Sequence, residues 1–127
     1  MRIKNGTKKF DVHWQRIETS TALGVPDLNG SYDGEDAWIE LKVFTGNKFR
    51  SKFTGPQAAW HVARTKVHGQ SWIWALDPRD DSIHVWDGWD ALALHKCQGL
   101  LTPSHEVFTK PYDWSTILQK TFNQEKP

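Results

Sequence analysis

The chain has 127 residues, enough for one compact domain (1–127) with a real core and too few for two. Eight tryptophans and six phenylalanines argue against disorder. The lone cysteine, Cys97, fits a reducing compartment, and with no apolar run long enough for a membrane and no signal-peptide core in "MRIKNGTKKFDVHW" a soluble cytoplasmic protein is expected.

In chain order, "WQRIET" (14–19) reads as a short strand. The "LGVP" turn leads to a second strand near Asp27–Tyr32. "DGED" is a hairpin turn with Asp33-Gly34 as its signal. Ala37–Val43 is the clearest strand: Ile39, Leu41 and Val43 share one face, Trp38, Glu40 and Lys42 the other. "FTGNKFRSKFTG" reads as a flexible, basic, glycine-bounded loop. Thr54 and Gln57 spell a capping box with Pro56 in the first turn. The helix that follows should run to about Val67, with Ala59, Val62, Ala63 and Val67 as its apolar face and Gln57, His61 and Arg64 on another. "SWIWAL" and "SIHVWD" are two strands joined by "DPRDD". "GWDALALHKC" and "DWSTILQKTF" read as short helices. The order β-β-β-α-β-β-α-α predicts an α/β fold, a mixed β-sheet flanked by helices.

Charge is segregated although the net value is only +1. No acid lies between Glu40 and Asp77, a span that holds Lys42, Lys48, Arg50, Lys52, Arg64 and Lys66. Such segregation makes a local positive field on a nearly neutral protein, or simply a solvated face.

The chemistry gathers on the predicted hairpin. Glu40 and Lys42 sit two apart on one strand and point to one face. The residue count on either side of the turn sets Asp27 level with them. Two carboxylates and an ammonium on one patch suit a divalent-metal site, because Mg²⁺ takes oxygen ligands from one or two carboxylates plus a substrate phosphate. The metal would activate water and polarise the phosphoryl oxygen, and the lysine would orient the water and stabilise developing charge. The Leu41 carbonyl, between the pair, is a further candidate ligand. The bland alternative is a cross-strand salt bridge.

Pro26-Asp27, twelve residues, then Glu40-Leu41-Lys42 resembles the signature of the PD-(D/E)xK nuclease superfamily. The wider run "RIET", "GVPDLN", "WIELKV" and "GPQAAWH" is similar to its small phage-encoded, VRR-NUC-like members, over about residues 14–75. The resemblance implies a restriction-endonuclease-like core and a Mg²⁺- or Mn²⁺-dependent DNA endonuclease. It assigns metal binding to Asp27 and Glu40, assistance of the nucleophile to Lys42, and completion of the site to Gln57. An upstream glutamate often joins the ligands; Glu18 is the nearest match. The family often supplies it from an N-terminal helix, for which there is little room before Trp14, so Glu18 falls on a strand. The resemblance also implies a homodimer, with "WDALAL" or "YDWSTILQKTF" as its apolar interface.

Lys48, Arg50 and Lys52 alternate with other residues in a pattern suited to phosphate contacts, with Arg64 and His61 as further nucleic-acid contacts. Nothing resembles a base-reading element, so a structure-selective activity on branched or junction DNA fits. His95-x-Cys97 lacks the second pair that a structural zinc needs, so no zinc is expected. The rival readings are a non-catalytic nucleic-acid-binding module on the same fold and a plain protein-interaction domain.

Overall fold

The computed structural model describes residues 3–18 and 24–122. Thr19, the end of the expected first strand, lies outside them. A short helix α1 (Ile3–Gly6) precedes strand β1 (Val12–Arg16). Then come β2 (Leu28–Tyr32), β3 (Glu35–Thr45), β4 (Lys48–Phe49), helix α2 (Gly55–Lys66), β5 (Gln70–Asp77) and β6 (Ser82–Asp87). A 3₁₀ turn (Gly88–Asp90) runs into α3 (Ala91–Cys97), followed by β7 (Glu106–Phe108) and α4 (Trp114–Thr121).

Among the described residues the strands make one mixed seven-stranded sheet in the order β1-β2-β3-β5-β6-β7, with β4 on β3. β3 and β5 are parallel, with α2 as their crossover; the other pairs are antiparallel. The expected mixed sheet flanked by helices is what forms. The β2–β3 hairpin turns on Asp33 (φ 50°) and Gly34 (φ 81°). Positive φ at both central residues matches the right-handed twist of the strands, which is why Asp-Gly suits this position.

Helices cover both faces. On one, Trp14, Leu28, Ile39, Trp74 and Ile83 pack with Ile117, Leu118 and Phe122 of the α4 segment. On the other, Phe44, Ile73, Ala75 and Trp86 pack with Phe49, Phe53, Ala58 of α2 and Leu94 of α3. Among the described residues, no helix is long and apolar enough to cross a membrane.

Three local expectations need correction. The buried face of α2 is Ala58, His61 and Thr65, not Ala59, Val62, Ala63 and Val67; Ala59, Ala63 and Val67 are exposed. Thr65 satisfies its own hydroxyl on the His61 carbonyl at 3.0 Å, so a polar residue can lie against the sheet. The basic "loop" is an anchored hairpin: Phe49 and Phe53 are buried, and Gln98 clamps Phe53 through paired backbone bonds of 2.7 and 2.8 Å. β7, β4 and α1, too short to show a period, were not anticipated.

Candidate active site

The β2–β3 ladder pairs Leu28 with Ile39, and one further step sets Asp27 opposite Glu40. Asp27 Oδ2 accepts the Leu41 N–H at 2.9 Å. The N–H and C=O of one strand residue project to the same edge, so the Leu41 carbonyl also lies on the Asp27 side. Lys42 Nζ is 3.5 Å from Glu40 Oε2. The same ammonium donates to the Lys52 carbonyl at 3.0 Å and to Gln57 Oε1 at 3.4 Å. Gln57 Nε2 donates to Glu40 Oε2 at 3.3 Å.

The first turn of α2 delivers Gln57. Thr54 caps the helix by accepting the Gln57 N–H at 3.3 Å, and Gln57 Oε1 accepts the Thr54 N–H at 2.9 Å. One side chain therefore closes the capping box and joins Lys42 to Glu40 at the same time. The loop before Asp27 abuts this turn: Gly24 has φ +79°, and a Cβ there would stand 2.2 Å from the Pro56 carbonyl oxygen.

The expected polar patch on the far side of the strand is an interior site. Glu40 is 2% exposed and Lys42 4%, because α2 and the β4 hairpin cover that face. Burial, then the Asp27 carboxylate, push the Glu40 pKa up to about 8; Lys42 opposes the shift. Among the described residues, Glu40 Oε1 is buried with no hydrogen-bond partner. Asp27 is half-buried and opens on a cavity of about 440 Å³ lined by Lys4, Asn5, Arg16 and Leu41.

The other sequence candidates fall elsewhere. Glu18 is exposed and pairs with Arg16 at 3.5 Å; no hydrogen bond or ion pair joins it to Asp27 or Glu40 among the described residues. His61 is a correction: it is fully buried against Phe53 and bonded to Ser71, so it does not reach a bound duplex. Burial and the nearby Lys42 lower its pKa to about 4, so it is neutral at neutral pH. Lys48, Arg50 and Lys52 are exposed along the anchored hairpin. Arg64 is half-buried, its guanidinium packed against two touching indoles.

Sequence reasoning missed the Lys52 carbonyl, Gln98, Lys4 and Arg16. Nothing local in the sequence ties Lys4 and Arg16 to Asp27. Of the proposed interface segments, α4 puts Ile117 and Leu118 into the core, whereas Trp89 and Leu92 of "WDALAL" are 61% and 58% exposed.

No family model matches the chain, and no curated protein matches it. A solved structure does. The fold resembles that of a Holliday junction resolvase. That resolvase is Hjc, from the archaeal hyperthermophile Archaeoglobus fulgidus; the match has a TM-score of 0.51 at 11% identity and covers 68% of this chain and 72% of that of Hjc. At that identity the likeness to Hjc is one of fold, and the chemistry has to be argued from the side chains.

Proposed function

We propose that this protein is a Mg²⁺- or Mn²⁺-dependent DNA endonuclease of the PD-(D/E)xK superfamily, selective for branched or junction DNA. The observation that carries the reading is the buried Glu40, level with Asp27, with Lys42 and Gln57 on one oxygen and, among the described residues, no partner on the other. The residues fit a divalent cation: its charge would supply what the orphaned oxygen lacks and would hold Glu40 ionised at neutral pH. Asp27, Glu40 and the Leu41 carbonyl would hold it. When bound, such a cation polarises the scissile phosphate and favours loss of a proton from the attacking water.

The chain's own groups do the rest. Lys42, fixed by the Lys52 carbonyl and Gln57, points its ammonium at the carboxylate and would orient the water and offset charge growing on phosphorus. Gln57 keeps that ammonium in register with Glu40. Lys48, Arg50 and Lys52, with Lys4 and Arg16 at the cavity, would hold the DNA backbone without reading sequence. The "PD…ELK…GPQ" run supports a VRR-NUC-like, phage-type member of the superfamily. The exposed Trp89–Leu92 surface would pair two copies, so that both strands of a branch are cut. The resolvase-like fold supports the choice of a branched substrate.

Cleavage of a four-way junction and of a linear duplex, with and without Mg²⁺ or Mn²⁺, tests this. Asp27→Asn and Glu40→Gln should abolish cutting while DNA binding survives. If either variant cuts like the wild type, the assignment is wrong; if the wild type binds DNA and cuts nothing with any metal, a non-catalytic binding module is the better description.

A further inference from the structure

Alternation along β3 sets Trp38 on the face that carries Glu40 and Lys42. α2 runs back over this face: Gln57 meets the carboxylate, and Trp60 and Arg64 follow on successive turns. The Trp38 and Trp60 rings are 5.2 Å apart. The Arg64 guanidinium lies 4.6 Å from the Trp60 ring and 5.4 Å from that of Trp38. Its stem presses on Gly69, where a Cβ would stand 2.3 Å from Arg64 Cδ. The charge is thus held in place, and among the described residues no carboxylate pairs with it. All three side chains are half-buried, unlike Trp74 and Trp86, which are fully interior.

The neighbouring sheet surface is open. The ladders set Gln15 and Asn29 level with Trp38, and His13 and Ser31 level with Asp36. Gln15 and His13 are exposed, Asn29 and Ser31 half-buried. A polar floor therefore runs beside an indole–guanidinium wall toward Asp27 and Glu40. By strand rise Trp38 is about 7 Å from Glu40, which spans two axial steps of one DNA strand at roughly 3.4 Å each.

We propose that Trp38, Trp60 and Arg64 form a subsite for an unpaired nucleotide of DNA flanking the scissile phosphate. An indole stacks the base, and the guanidinium takes its phosphate. A base inside a duplex already has both faces covered, so an indole subsite selects a nucleotide freed at a branch or bulge. An arginine without a carboxylate partner, next to a site built for phosphate, matches an anionic strand. The inference deepens the nuclease reading and rests on it for the position of the cut.

The test uses the full chain carrying Glu40→Gln and a duplex with one 2-aminopurine, either unpaired at a branch or paired. Binding should quench the unpaired probe and leave the paired one unchanged. Trp60→Ala should abolish the quenching, and Trp60→Phe should retain it. Arg64→Gln, which keeps a planar end against the indoles but carries no charge, should bind the branched substrate roughly 10- to 100-fold more weakly at an unchanged melting temperature, the range for losing a hydrogen bond to a charged group. Bound DNA whose unpaired probe is not quenched overturns the subsite. So do Trp60→Ala and Arg64→Gln proteins that bind and quench like their parent, which would leave the cluster a fastening of α2 to the sheet. Failure of the nuclease reading is separate: wild type that cuts neither substrate with Mg²⁺ or Mn²⁺ sinks that reading, while the quenching still decides the subsite.

Discussion

Glu40 shows the conflict between stability and chemistry in one side chain. Its pKa is raised from 4.5 to about 8 in the folded chain. Between those values the folded state holds a proton that the unfolded state releases. The stability linked to it is present in full below about pH 4.5 and is lost as pH rises toward 8. At 1.36 kcal/mol per unit the effect is on the order of 3–5 kcal/mol before relaxation. Metal-free wild type should therefore lose melting temperature between pH 5 and 8 relative to Glu40→Gln. Adding Mg²⁺ or Mn²⁺ at pH 8 should restore the wild type and leave the variant unmoved. Calorimetry across that range checks both; parallel curves for the two proteins would show that Glu40 is not strained. His61 has the opposite sense: its pKa is lowered to about 4, so its contribution is lost as pH falls from 6.5.

At the scale of elements, α2 both covers the sheet and supplies the site. Its start was legible because a capping box is local: Thr54, Pro56 and Gln57 lie within four residues. Its buried face was not, because Ala59, Val62, Ala63 and Val67 mimic an apolar stripe while the real face includes His61, whose Nδ1 meets Ser71, and Thr65, whose hydroxyl is satisfied by the helix's own carbonyls. Two variants separate cap from site. Thr54→Ala should cost about 1 kcal/mol of stability, the usual worth of an N-cap. Gln57→Ala should lower kcat by a larger factor than Thr54→Ala does, because it also frees Lys42 and Glu40. Gly24→Ala would set a Cβ against the Pro56 carbonyl and push the Asp27 loop from α2. A displacement of that size should lower cleavage by about 10- to 100-fold, read as single-turnover rate beside melting temperature.

For the whole molecule, charge separation matters more than the net value of +1. The anchored hairpin presents Lys48, Arg50 and Lys52 to solvent while Phe49 and Phe53 hold it down. Replacing Arg50 and Lys52 with alanine should reduce the slope of log K against log salt for DNA binding by about 2. Fluorescence anisotropy at several salt concentrations measures it, and an unchanged slope would take this hairpin out of the DNA interface.

What the sequence by itself determined is what depends on near neighbours. A two-residue Asp-Gly turn sets the register of β2 on β3, a period of two sets which side chains share a face, and a capping box sets where α2 begins. These rules bring Asp27, Glu40, Lys42 and Gln57 into one place from a stretch of the chain read alone. Only the tertiary structure decided how deeply they lie. Burial of Glu40 and Lys42 needs the β4 hairpin and α2 on top of them, and that hairpin is clamped by Gln98, 45 residues from Phe53. It is this distant cover, excluding water from a carboxylate, that turns an ion pair along one strand into a site with a displaced pKa and, among the described residues, an unpartnered oxygen. Contacts closed over such separations carry no local period, so neither the Lys52 carbonyl under Lys42 nor the indole wall around Arg64 was legible before the fold.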